Sequence, residues 1–147
     1  MAESSQHILL VNNIVSYIKQ NVQDIIPSLL LVDLPDSVYK PQSVVNGFIP
    51  DLFYNFKEKL IIGEAKTDND VERIHSLKQY EAYFTEAFNF DGDSIIVFSV
   101  TWRMYGTIKN IIRLTKKKNN FDKIKVIVIN NKGDVSCLWV ILIIRKN

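Results

Sequence analysis

Cysteine is almost absent from the sequence: Cys137 stands alone. That excludes an intrachain disulfide and any cysteine-based zinc or iron–sulfur site. Its neighbours in 137–144 are strongly apolar, so the thiol is expected to be buried and inert. No apolar run nears the ~18 residues that would suggest a membrane span; the longest is 138–144. The opening MAESSQHILL has no basic stretch ahead of an apolar run, so a cleaved leader is not expected. A soluble, cytoplasmic protein without a membrane partner is the expectation. The five glycines and four prolines form no linker, and no segment repeats or has low complexity. A large excess of either charge is missing as well. A net charge of +2 permits a nucleic-acid partner through local basic clusters but does not argue for one. There is no P-loop, GxGxxG, HExxH or plausible Ser/His/Asp arrangement, so ATP use and nicotinamide binding have no support.

What is present is ordinary globular composition. Of 147 residues, 47% are hydrophobic and 23% charged, within the usual range for a folded domain. A chain of this size buries roughly 70% of its unfolded surface, so 1–147 is read as one domain that needs no staple.

Periodicity orders the elements. Ser4 or Ser5 can cap a first helix whose apolar stripe is Val11, Ile14, Val15, Ile18 and Val22. A short apolar run at 29–32 and a proline-bearing loop at 33–41 follow. Strands are expected at 47–56 and 60–65. A second helix is expected over 70–88, with Ile74, Leu77, Tyr80, Phe84 and Phe88 on one side. After the Asp91-Gly92-Asp93 turn comes a strand buried on both faces at 94–100. A third helix, 104–118, carries Met104, Ile108, Ile111, Ile112 and Thr115. Strands at 124–129 and 137–144, with a turn at 130–134, complete the chain. The class is α/β: a mixed sheet with helices on both faces.

The chemistry concentrates in 46–66, NGFIPDLFYNFKEKLIIGEAK. If Phe56 and Lys59 close a hairpin around Lys57-Glu58, counting back along both strands sets Asp51 opposite Glu64. Directly opposed side chains have Cβ atoms roughly 4.5–5.5 Å apart. Like charges so placed repel unless a cation lies between them or one takes up a proton. Hard divalent ions prefer carboxylate and water oxygens. Lys66, two residues beyond Glu64, projects from the same face, which otherwise carries Phe53, Leu60 and Ile62. Gly63 allows close approach of a backbone or a ligand.

Pro50-Asp51 followed by Gly63-Glu64-Ala65-Lys66 resembles the signature of the PD-(D/E)xK nuclease superfamily, and the element order is similar to its αβββαβ core. Gln79 and Tyr83 in KQYEAY resemble the QxxxY motif of the RecB-like branch. At i and i+4 they reach from one side of the second helix, flanking its apolar stripe. The resemblance implies a restriction-endonuclease-like fold and DNA phosphodiester hydrolysis. It implies Mg²⁺ or Mn²⁺ held by Asp51, Glu64 and the Ala65 carbonyl, with Lys66, Gln79 and Tyr83 completing the catalytic set. Members often carry a further upstream ligand; Glu3, His7, Asp24, Asp33 and Asp36 are all open candidates here. The alternatives are a junction-resolvase-like or RNA-directed nuclease, a restriction-type endonuclease, and an inactive module that binds nucleic acid or protein. Beyond DNA, the expected partners are a second copy of the chain or a larger nucleic-acid-processing or defence assembly.

Three further features stand outside this set. Lys109, Arg113 and Lys116 to Lys118 read as a solvated helix face or a DNA-backbone contact. Trp102-Arg103, after a buried strand, reads first as core packing of the indole, with base stacking as the alternative. His75 reads as a helix surface residue, one turn before Gln79.

Overall fold

The computed structural model describes residues 4–139. Its first element, α1 (Ser5–Asn21), starts where the Ser4 hydroxyl accepts the His7 amide at 3.1 Å, an N-cap. Leu10, Val11, Ile14 and Ile18 form its buried stripe. A 3₁₀ turn at Pro27–Leu29 leads into the two-residue strand β1 (Leu31–Val32). The loop at 33–41 matches expectation. A second 3₁₀ turn ends at Gly47 (Val45–Gly47) and 48–51 is irregular, so β2 is shorter than the expected 47–56: Leu52–Phe56. There follow β3 (Lys59–Ala65), α2 (Ile74–Asn89), β4 (Asp93–Val100), α3 (Tyr105–Lys118), β5 (Lys125–Asn130) and β6 (Val135–Leu138).

The strands form one six-stranded sheet in chain order. β1–β2, β2–β3 and β5–β6 are antiparallel, while β3–β4 and β4–β5 are parallel. Each parallel step is bridged by one helix, α2 then α3. Two successive crossovers that advance in the same direction with the same hand fall on one face of the sheet. Accordingly α2 and α3 share one core with Leu60, Ile62, Ile96, Phe98, Val126 and Val128. α1 covers the other face, against Ile61, Val97, Ile127 and Ile129. Alternate residues of β4 and β5 thus enter opposite cores, the reason both read as unbroken apolar runs.

Several expectations are corrected. α2 starts at Ile74, because residues 67–73 form turns braced by the Thr67 hydroxyl on Asp70 at 3.0 Å. Its buried face is Ser76, Gln79, Tyr80, Ala82, Tyr83, Phe84 and Ala87, while Ile74, Leu77 and Phe88 are exposed. Lys116 is buried rather than solvated: its ammonium donates to the carbonyls of Ile124 and Leu138, both at 2.7 Å. Burial lowers its pKa, partly offset by Asp122. Lys117 and Lys118 are exposed, as expected. Cys137 is exposed, because it lies on the outer strand β6. The expected last strand, 137–144, lies mostly outside the described residues. Among the described residues, no helix is long and apolar enough to cross a membrane.

Candidate active site

The β2–β3 register runs Phe56↔Lys59 through Leu52↔Gly63, so the hairpin closes as the sequence count required. One step further the ladder changes character. The Asp51 amide donates to the Glu64 carboxylate (Oε2) at 3.2 Å, and the Ala65 amide donates to Asp51 Oδ2 at 2.8 Å. The two side chains replace the backbone acceptors that a continuing ladder would supply. A reciprocal clamp therefore holds two carboxyl groups together where the strands part. The Asp51 carbonyl accepts the Asp33 amide at 2.8 Å, which ties it to the end of β1.

All five residues named from the sequence for catalysis are buried and joined in one network. Asp51, Glu64, Lys66 and Gln79 are each less than a tenth exposed, and Tyr83 is fully buried. The Tyr83 hydroxyl donates to Glu64 Oε2 at 3.3 Å. Lys66 Nζ lies 3.7 Å from Glu64 Oε1 and donates to Gln79 Oε1. Gln79 and Tyr83 do not flank the buried face of α2 but lie within it, aimed at the end of β3.

The electrostatics follow from this crowding. Burial, and after it the Asp51 carboxylate, hold the Glu64 carboxyl well above its usual pKa; the Lys66 ammonium pulls it back. Burial and the same two carboxyls raise the Tyr83 phenol, which stays a neutral donor. Tyr80 is raised by burial and by Glu64, and its hydroxyl donates to the Val71 carbonyl at 2.9 Å.

Of the upstream candidates, the structure brings His7 to the site: its Nε2 lies 3.3 Å from Asp51 Oδ2. The sequence carried a usable signal for this. His7 precedes Leu10 by three residues and Ile14 by seven, so it extends the sheet-facing stripe of α1. Asp33 instead pairs with Lys40 at 3.5 Å, Asp36 lies in the loop, Asp24 lies beyond the end of α1 and Glu3 falls outside the described residues. His75 is exposed, with its ring edge-on to Phe48 at 5.3 Å. Trp102 is exposed rather than packed in the core.

No family model, curated protein or solved structure matches this chain. Among the described residues, no group of three or more His, Cys, Asp and Glu side chains is disposed as a complete ligand cluster. Two adjacent buried carboxyls with a strained shared charge do fit a hard cation that takes few protein ligands and keeps its waters, the habit of Mg²⁺. They fit a soft or fully caged metal poorly.

Proposed function

We propose that this chain is a divalent-metal-dependent nuclease of the PD-(D/E)xK type, with a restriction-endonuclease-like fold, acting on DNA. One observation carries the reading: Asp51 and Glu64 are clamped together in a buried position with the Lys66 ammonium alongside. Such an arrangement is costly without a cation, and groups perturbed by burial and a like charge collect at functional sites.

Asp51 and Glu64, with the Ala65 carbonyl next along β3, would hold Mg²⁺ or Mn²⁺. The ion would supply Lewis acidity to the attacking water and to the phosphate. The chain's own residues do the rest. Lys66 orients the water by a hydrogen bond or offsets the negative charge that develops on the phosphate. Gln79 fixes Lys66, since its amide oxygen accepts from Nζ. Tyr83 orients Glu64, and His7 steadies Asp51 from the opposite layer.

A second reading, a nucleic-acid- or protein-binding module that does not cut, draws on the absence of a complete ligand cluster among the described residues. Linear, circular, single-stranded and branched DNA incubated with Mg²⁺, Mn²⁺ or chelator separates the two. The nuclease reading expects metal-dependent products, with Lys66→Ala folded by circular dichroism but slowed at least 100-fold. Cleavage of circles marks an endonuclease; preferential cutting of branched DNA marks a resolvase-like enzyme, which requires a symmetric dimer. Unchanged cleavage by Lys66→Ala removes that residue's role, and metal-independent binding without products favours the non-cutting module.

A further inference from the structure

At the end of the sheet that carries Lys66 stands an exposed aromatic with no part in the carboxylate chemistry, Trp102. β3 and β4 are parallel neighbours, paired to Ala65↔Ser99, and the Lys66 amide donates to the Ser99 carbonyl at 3.0 Å. Trp102 therefore leaves the sheet at the same edge as Lys66, three residues after Ser99. This is the C-terminal edge of the parallel strands, where α/β proteins collect ligands.

The indole is about half exposed, yet its backbone is anchored. The Trp102 amide donates to Asn131 Oδ1 at 2.8 Å, which pins it to the β5–β6 turn. Asn130 builds that turn: its Oδ1 accepts the amides of Lys132 at 2.8 Å and Asp134 at 3.1 Å. The turn sets Lys132 Nζ 4.6 Å from the centre of the indole ring, and the Arg103 guanidinium lies 5.7 Å from it. Arg103 is also held by Asp68 at 3.0 Å, and the Thr101 hydroxyl donates to the same carboxylate. Asp68 thus offsets part of Arg103's charge and leaves Lys132 as the more available cation.

We propose that Trp102, Arg103 and Lys132 form a subsite for a single-stranded nucleic-acid segment, in which an unstacked base lies on the indole and the cations meet the flanking phosphates. Base stacking on an aromatic ring outweighs an exposed cation–π contact, so a base displaces the flexible Lys132 ammonium from the ring, and that ammonium finds a phosphate. A duplex keeps its bases stacked and cannot use the ring. The proposal rests on the nuclease reading for the substrate class, and it makes the substrate a strand with an unpaired segment next to the cut.

The test uses the full chain carrying Trp139→Phe, which leaves Trp102 as the single tryptophan. Indole emission is followed during titration with a 12-nucleotide oligo(dT) or a blunt duplex in chelator, without turnover. Quenching by oligo(dT) but not by duplex is expected. In the parent chain, Trp102→Leu should weaken oligo(dT) binding roughly 5- to 100-fold, with Trp102→Phe in between. Lys132→Met should lower the slope of log affinity against log salt by about 0.7. Unchanged oligo(dT) affinity in Trp102→Leu overturns the subsite. So does equal quenching by duplex, or emission that changes with protein concentration alone, which would make the indole a contact between copies. The two readings fail separately: oligo(dT) binding by a protein that never cuts keeps the subsite and sinks the nuclease, while cleavage of single strands indifferent to Trp102→Leu does the reverse.

Discussion

Asp51 and Glu64 hold each other through the backbone: the Asp51 amide donates to Glu64 Oε2 at 3.2 Å, while the amide following Glu64 donates to Asp51 Oδ2 at 2.8 Å. Neither carboxyl can swing away without orphaning a buried amide, so repulsion between them is built in rather than incidental. A divalent cation that binds the folded state alone must then stabilise it. At one hundred times its dissociation constant, Mg²⁺ or Mn²⁺ adds about 2.7 kcal/mol, roughly 5–10 °C in Tm for a domain of this size. Calorimetry with metal and with chelator measures the shift. Asp51→Asn and Glu64→Gln should abolish it; an equal shift in Glu64→Gln would show the ion binding elsewhere.

The same pair sets a pH dependence for the metal-free protein. The folded-state pKa of Glu64 is raised above the unfolded value near 4.5, chiefly by burial and then by Asp51. A raised carboxyl contributes stability that is fully present below the unfolded value and lost as pH rises through the folded one. Wild type should therefore gain on Glu64→Gln as pH falls from 8 toward 5 in chelator. Urea unfolding of both proteins across that range reads the difference. A gap that stays constant, or moves the other way, contradicts the assigned environment.

The β2–β3 turn shows where local sequence and structure disagree. Lys57 and Glu58 have φ of 46° and 60°, the positive-φ pattern of a type I′ hairpin turn, which favours Asn-Gly. Both side chains are exposed and unsuited to that conformation. Replacing them with Asn-Gly should stabilise the protein by about 1–2 kcal/mol, after allowing for the chain entropy of the new glycine. Denaturant titration checks it. A loss of stability would mean that the Lys57 ammonium, 5.5 Å from the Phe56 ring, contributes more than the strain costs.

Much of this arrangement is legible in the sequence. A two-residue turn leaves little freedom of register, so the ladder from Phe56↔Lys59 to Leu52↔Gly63, with Asp51 and Glu64 meeting just beyond it, follows from counting. Alternation then set Lys66 on their face. The rotation of α2 was not legible. Hydrophobic periodicity favoured Ile74, Leu77 and Phe88, but α2 turns Gln79 and Tyr83 inward instead, because Gln79 accepts from Lys66 and Tyr83 donates to Glu64. Periodicity cannot see such partners. Trp102 and Lys116 failed for matching reasons. An indole can be held at the surface by its backbone and by cations, and a lysine can be buried when two carbonyls await it. His7 was visible as a candidate but not as a neighbour, since joining α1 to the start of β2 needs the tertiary fold.

Gly63 links packing to chemistry. The sequence suggested room for a backbone or a ligand; the structure fills that space with side chains on the α1 face. A Cβ there would lie 2.9 Å from Ile14 Cγ2 and 3.0 Å from Leu52 Cβ, too close for either fully buried neighbour to accept in place. Gly63→Ala must push α1 off the sheet or displace β3, at a cost of about 1–3 kcal/mol. Either movement also disturbs the site, because α1 carries His7 and β3 carries Glu64. Ile14→Ala removes the closest atom and opens a cavity of its own, costing about 2–5 kcal/mol. Combined, the two changes should destabilise less than their sum by at least about 0.5 kcal/mol, since each supplies what the other lacks. A double-mutant cycle in urea measures that coupling, and strict additivity would mean that Leu52, not Ile14, sets the limit at this position.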